Sequence, residues 1–212
     1  GTNYQNTFAL QEFQTQAISV LHSGDKVAFS LSHAVYGKDN YKEMLTGIGC
    51  ALRLSPQLSA GIKMDYFILQ LPEYYGATDA VSASLGLCYK LNEYWTIASS
   101  FYNLNQAIIS NFENDRLSPR LRMGACFSPS KATSIRAEIW KEPSTDLALK
   151  FGADYRVSSS FVLRGGLDVL QKQLSFGLGT GIKNWRLDLA SQFHPRLGWT
   201  PVVSFSFQNN RE

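Results

Sequence analysis

The residues that could do chemistry are few and scattered. Histidine occurs at His22, His33 and His194, and cysteine at Cys50, Cys88 and Cys126. In "LSHAVYG" Ser32 stands beside His33, and a hydroxyl next to an imidazole invites a nucleophile–base reading. Consecutive residues of a strand point to opposite faces, so these two cannot meet directly. A cross-strand partner for His33 is the arrangement left open, and with it an outer-membrane enzyme as a third reading. The cysteines are odd in number, far apart and without CxxC spacing, which fits neither a zinc site nor a disulfide framework. The scattered GxG patterns lead into no helix, so they cradle no phosphate. Asp65, Asp154 and Asp188 are better explained by charge pairing than by acid–base work. No catalytic residue, metal ligand or cofactor site is expected, and the chain reads as non-enzymatic.

Which faces these side chains share depends on the elements that carry them. The chain is 44% hydrophobic and 17% charged, where soluble domains carry about a quarter charged residues. Its net charge is +3. No basic cluster stands out along the sequence, so nucleic acid is not an expected partner. No apolar run approaches the roughly 18 residues that a spanning helix needs. The chain opens at Gly1 without a Met, which points to a processed or incomplete N-terminus.

Period-2 alternation dominates from about residue 13 onward. In "QLSAGIKMDYFI" Leu58, Ala60, Ile62, Met64, Tyr66 and Ile68 form one face. Ser59, Gly61, Lys63 and Asp65 form the other. The same two-faced rhythm recurs over 80–91, 146–157 and 172–193. Such strands exceed the five or six residues usual in soluble sheets and match the roughly 9–11 of a tilted membrane strand. Connections alternate between short ones (55–57, 92–94, 128–132, 158–160, 183–184) and longer or more polar ones (37–42, 72–79, 103–119, 141–146, 194–201). Aromatics gather at strand ends. Tyr89, Trp95, Phe127, Tyr155, Phe161, Trp185 and Phe207 lie toward the short turns. Tyr66, Phe101 and Phe193 lie toward the long loops, with Trp199 in a loop. Turn asymmetry and paired aromatic girdles are marks of barrels that cross the outer membrane. The predicted fold is all-β: a transmembrane antiparallel up-and-down β-barrel of about 14 strands, counting a first strand around "NYQNTFAL". Residues 1–212 form one domain, both termini are periplasmic, and outer-membrane lipid or lipopolysaccharide surrounds the barrel.

Turn lengths then predict which charges face each other inside the lumen. A three-residue loop at "SSS" sets Asp154 opposite Arg164 and Lys150 opposite Asp168. A five-residue loop at "SPSKA" sets Arg122 opposite Glu138. The longest loop, 103–119, carries Ile108, Ile109 and Phe112, an apolar group suited to folding over the mouth or docking a partner.

The chain nears its end with "FHPRLGWTPVVSFSFQ". The His194-Pro195 and Leu197-Gly198 corner, followed by a strand bearing Phe205 and Phe207, resembles the C-terminal hairpin of PorV/PorQ-type proteins of Bacteroidota, within the FadL-like group of 14-stranded barrels. That resemblance implies that Phe205 and Phe207 form a barrel-assembly signal. It also implies a non-enzymatic accessory subunit of an outer-membrane complex of the type IX secretion or barrel-assembly kind, with other outer-membrane or periplasmic subunits as partners. The alternative is a FadL-like or porin-like channel for small or hydrophobic solutes. The chain departs from FadL transporters in showing no long N-terminal hatch, and from the usual terminal Phe in its tail "NNRE".

Overall fold

The computed structural model describes residues 1–38, 41–72, 76–110 and 115–209. Its strands are β1 (Thr2–Asn6), β2 (Gln14–Ser23), β3 (Val27–Lys38), β4 (Tyr41–Arg53), β5 (Leu58–Gln70), β6 (Ala77–Lys90) and β7 (Trp95–Tyr102), then β8 (Ile108–Ser110) and β9 (Asp115–Arg116) within the longest loop. The series continues with β10 (Arg120–Phe127), β11 (Thr133–Lys141), β12 (Ala148–Arg156), β13 (Phe161–Asp168), β14 (Gln173–Ile182), β15 (Trp185–His194) and β16 (Gly198–Phe207). All but β8 and β9 pair antiparallel with their chain neighbours, and β1 pairs with β16, so 14 strands close into an up-and-down barrel. Closure pairs Thr2 with Phe205 and Tyr4 with Val203 and so joins the first strand to the last.

Alternation puts the large apolar side chains outside. Ile18, Leu31, Ile48, Ile62, Leu85, Phe176 and Phe205 are all exposed on the outer wall. Among the described residues the only buried apolar ones are Phe67, Ala80, Ala107 and Ala148. An apolar band around the whole circumference, with almost no apolar core, is the pattern of a wall solvated by lipid. The girdle aromatics meet across neighbouring strands. Trp95 stacks on Phe127 with centroids 4.7 Å apart, and Trp185 lies 4.6 Å from Phe207.

Short turns (24–26, 54–57, 91–94, 128–132, 157–160, 183–184) and both described chain ends share one end of the barrel. Connections at the other end differ from expectation in two places. Of the longer or more polar connection expected at 37–42, Gly37, Lys38, Tyr41 and Lys42 belong to strands, because β3 and β4 pair as far as Lys38 opposite Tyr41. Trp199 lies in β16 opposite Phe193, not in a loop. The first strand is also shorter than "NYQNTFAL". It ends at Asn6, and single-turn 3-10 segments at Thr7–Ala9 and Gln11–Phe13 lead into β2.

Register at 157–160 is as the turn length predicts: Asp154 is opposite Arg164 and Lys150 opposite Asp168. At 128–132 it is not. Phe127 sits opposite Ile135, so Arg122 faces Trp140 and Glu138 faces Gly124. The cause lies in the neighbouring strands. Thr133 and Ser134 pair with β12 rather than with β10, while the Ser128 amide donates to the Tyr94 carbonyl on the β7 side. Ser130 Oγ meanwhile accepts from the amides of Ala132 and Thr133 at 3.2 Å, closing the turn on itself. The slip is two residues, which preserves the face and changes the partner.

Candidate functional site

The inward face divides into two halves. Toward the long loops, β4 and β5 turn Leu45, Phe67 and Leu69 inward, where a lumen normally carries polar groups. These residues line a cavity of about 790 Å³. Ile109 and Leu117 of the 103–119 loop also border it. Charged groups line the same cavity: Glu43, Lys63, Asp65, Arg116, Arg120 and Arg122. Asp65 is fully buried, and Lys63 Nζ reaches its Oδ1 at 2.5 Å. Gly47 on β4 makes room for this pair, since a Cβ there would stand 2.2 Å from Asp65 Oδ1 and 2.5 Å from Lys63 Cε.

The loop is fastened by side chains that stand in for a strand. β7 ends at Tyr102, so the upper edge of β6 has no full-length neighbour. Asn105 covers that edge: its Oδ1 accepts from the Ala83 amide at 2.9 Å and its Nδ2 donates to the Val81 carbonyl at 2.8 Å. Asn103, completely buried, donates through Nδ2 to the Leu117 carbonyl and accepts from the Ala107 amide, tying the two ends of the loop together. Of the three apolar loop residues expected to act as lid or docking surface, Ile109 borders the cavity and Ile108 is exposed. Phe112 lies outside the described residues.

Also toward the long loops, Trp140 near the end of β11 faces inward with Lys150 Nζ 4.5 Å and the Arg120 guanidinium 4.8 Å from its ring centroid. Arg122, displaced from Glu138 by the register slip, packs over the same ring at 5.7 Å. Lys150 also reaches Asp168 at 3.0 Å, and Arg120 pairs with Glu142 at 2.5 Å.

Toward the short turns the lumen is basic. Arg136 pairs with Asp154 at 2.7 Å, Arg164 approaches Asp154 at 3.9 Å and Asp188 at 2.6 Å, and Arg186 reaches Asp188 at 3.0 Å. This ladder crosses the inner wall from β11 to β15. It borders a polar cavity of about 460 Å³ that Lys131 and Arg156 also line.

No family model matches the chain, and no curated protein matches it in sequence. Its architecture is similar to solved channels. The monoaromatic hydrocarbon channel CymD superposes with a TM-score of 0.74 at 11% identity, over 99% of this chain and 88% of that one. The Pseudomonas putida toluene transporter TodX gives 0.72 at 13%, over 98% and 89%. The KdgM porin gives 0.56 at 8%, over 99% of both. The fold is FadL-like.

In this FadL-like barrel, sequence reasoning found the Lys150–Asp168 and Asp154–Arg164 neighbours because they oppose each other directly. It missed Arg136–Asp154 and Arg164–Asp188, which are diagonal contacts, the second spanning a whole strand. It also missed the inward Leu45, Phe67 and Leu69, whose only signal is that apolar residues interrupt the polar face of β4 and β5. Ser32 and His33 do part to opposite faces: Ser32 Oγ donates to the Gly47 carbonyl at 3.4 Å, while His33 Nδ1 lies 2.9 Å from Thr46 Oγ1 on the outer wall.

Proposed function

We propose that the protein is an integral outer-membrane channel for small apolar or amphipathic solutes, with the long loops extracellular and the short turns periplasmic. The observation that carries this reading is the cavity lined by Leu45, Phe67 and Leu69 under the 103–119 loop. Apolar side chains turned into a lumen bind no water well and offer an apolar solute a place to leave it. The loop lays Ile109 and Leu117 against this cavity, which supports a channel entrance over a docking surface for a secretion or assembly partner. The likeness to channels for toluene and other monoaromatic hydrocarbons, and to a porin, supports transport rather than catalysis. Phe205 and Phe207, on the strand that closes the barrel, serve in this reading as the signal for insertion.

The test is uptake. Cells carrying the barrel should take up a radiolabelled monoaromatic solute several-fold faster than cells without it, and Phe67→Asp should remove the gain. Equal uptake with and without the barrel, together with a stoichiometric protein partner in mild detergent, would refute the channel and restore the accessory-subunit reading.

A further inference from the structure

We infer that the periplasmic half of the lumen holds an anion-binding site, which gives the channel a preference for solutes with a carboxylate or phosphate head. Five cations gather around the inner cavity: Lys131, Arg136, Arg156, Arg164 and Arg186. Two carboxylates, Asp154 and Asp188, are paired with three of them. The local excess is therefore 5 − 2 = 3 positive charges, as large as the net charge of the whole chain. Lys131 and Arg156 form no ion pair among the described residues. They sit on the rim of the cavity, Lys131 in the turn before β11 and Arg156 at the end of β12.

The geometry separates structural cations from available ones. Arg136, Arg164 and Arg186 are held in place by Asp154 and Asp188, so their guanidinium groups are positioned before any ligand arrives. Preorganised guanidinium groups favour planar oxyanions because two N–H donors can meet two oxygens. The two unpaired cations supply the charge that an incoming anion would neutralise. A low-dielectric barrel wall focuses their field along the lumen and raises the local anion concentration. The outer cavity sets Leu45, Phe67 and Leu69 beside Lys63, Arg116, Arg120 and Arg122, so the lumen suits a solute with an apolar body and an anionic head. This substrate class rests on the channel reading, whereas the binding site can be tested without transport.

The experiment is calorimetry on the purified barrel in detergent, with benzoate, inorganic phosphate and benzyl alcohol as probes. Benzoate and phosphate should bind the wild-type protein, and both should weaken about tenfold in Lys131→Gln/Arg156→Gln, as loss of charge-assisted contacts requires. The neutral alcohol should bind both proteins alike. The charge-preserving Lys131→Arg/Arg156→Lys should retain anion binding, which separates loss of charge from loss of fold. Binding of benzoate alone would assign the site to organic carboxylates, and binding of phosphate alone to phosphate or its esters. Failure of both anions to bind wild type, or equal binding by the glutamine variant, would overturn the site. Anion binding that persists in a barrel giving no solute uptake would leave the site standing and refute only the channel.

Discussion

Arg164 and Asp188 meet at 2.6 Å although a whole strand lies between theirs, because β14 presents only Gly179 at that level. A Cβ at Gly179 would stand 2.4 Å from Asp188 Oδ1 and 3.1 Å from one guanidinium nitrogen of Arg164. Gly179→Ala should force the pair apart and destabilise the barrel by about 1–3 kcal/mol, the usual cost of overpacking. Urea titration of the folded barrel in detergent checks this. Gly165, with nothing within 4 Å of its would-be Cβ, is the control, and Gly165→Ala should change stability by less than about 0.5 kcal/mol.

The Lys63–Asp65 pair should respond unequally to loss of either partner. Asp65 is buried and Lys63 is partly exposed, with side-chain accessibilities of 2% and 37%. Lys63→Met leaves a buried carboxylate alone and should cost about 3 kcal/mol, as for other broken buried pairs. Asp65→Asn leaves an ammonium that can turn toward water and should cost about 1 kcal/mol. The order of the two unfolding midpoints is the readout, and a reversed order would contradict this placement.

Asn105 should control the loop without controlling the barrel. Asn105→Ala removes both bonds to the β6 edge, while the Leu104 amide keeps its bond to the Ala83 carbonyl at 2.8 Å. Cleavage within 103–119 by a nonspecific protease should rise about tenfold, because local opening becomes easier by roughly the worth of two hydrogen bonds. The unheated barrel should still migrate as a folded species on a gel.

Phe207 allows assembly to be separated from stability. It packs on Trp185 at the short-turn end, and an aromatic pair of this kind is worth about 0.5–1.5 kcal/mol. Phe207→Ala should lower the amount of inserted barrel in cells several-fold while the purified variant still refolds in detergent. Equal loss in both settings would reduce the residue to a packing role.

Much of this architecture was legible without coordinates, for a definite reason. Side-chain direction in a strand has period two, so alternation alone assigns Leu58, Ala60, Ile62 and Met64 to one wall face and Lys63 and Asp65 to the other. Strand length and the aromatic ends then separate a membrane wall from a soluble sheet. Where a turn is tight, as at 157–160, its length also determines register, and Lys150 meets Asp168 as predicted. At 128–132 length was not enough, because hydrogen bonds outside the hairpin, to Tyr94 in the turn before β7 and to Arg156 of β12, hold the turn's two ends out of line.

The basic inner mouth belongs to the tertiary structure alone. Lys131, Arg136, Arg156, Arg164 and Arg186 are spread over more than fifty positions, so no window of the sequence shows a cluster. Antiparallel pairing of β11 through β15 brings them to the short-turn end of one wall. The gap left by Gly179 lets Arg164 reach Asp188, a contact that no pairwise register rule contains. The apolar patch of the outer cavity has the same origin. Leu45, Phe67 and Leu69 look like irregularities in a polar face until the loop bearing Ile109 and Leu117 folds back against them. Local periodicity could say which way each side chain points; only the closed barrel could decide what it points at.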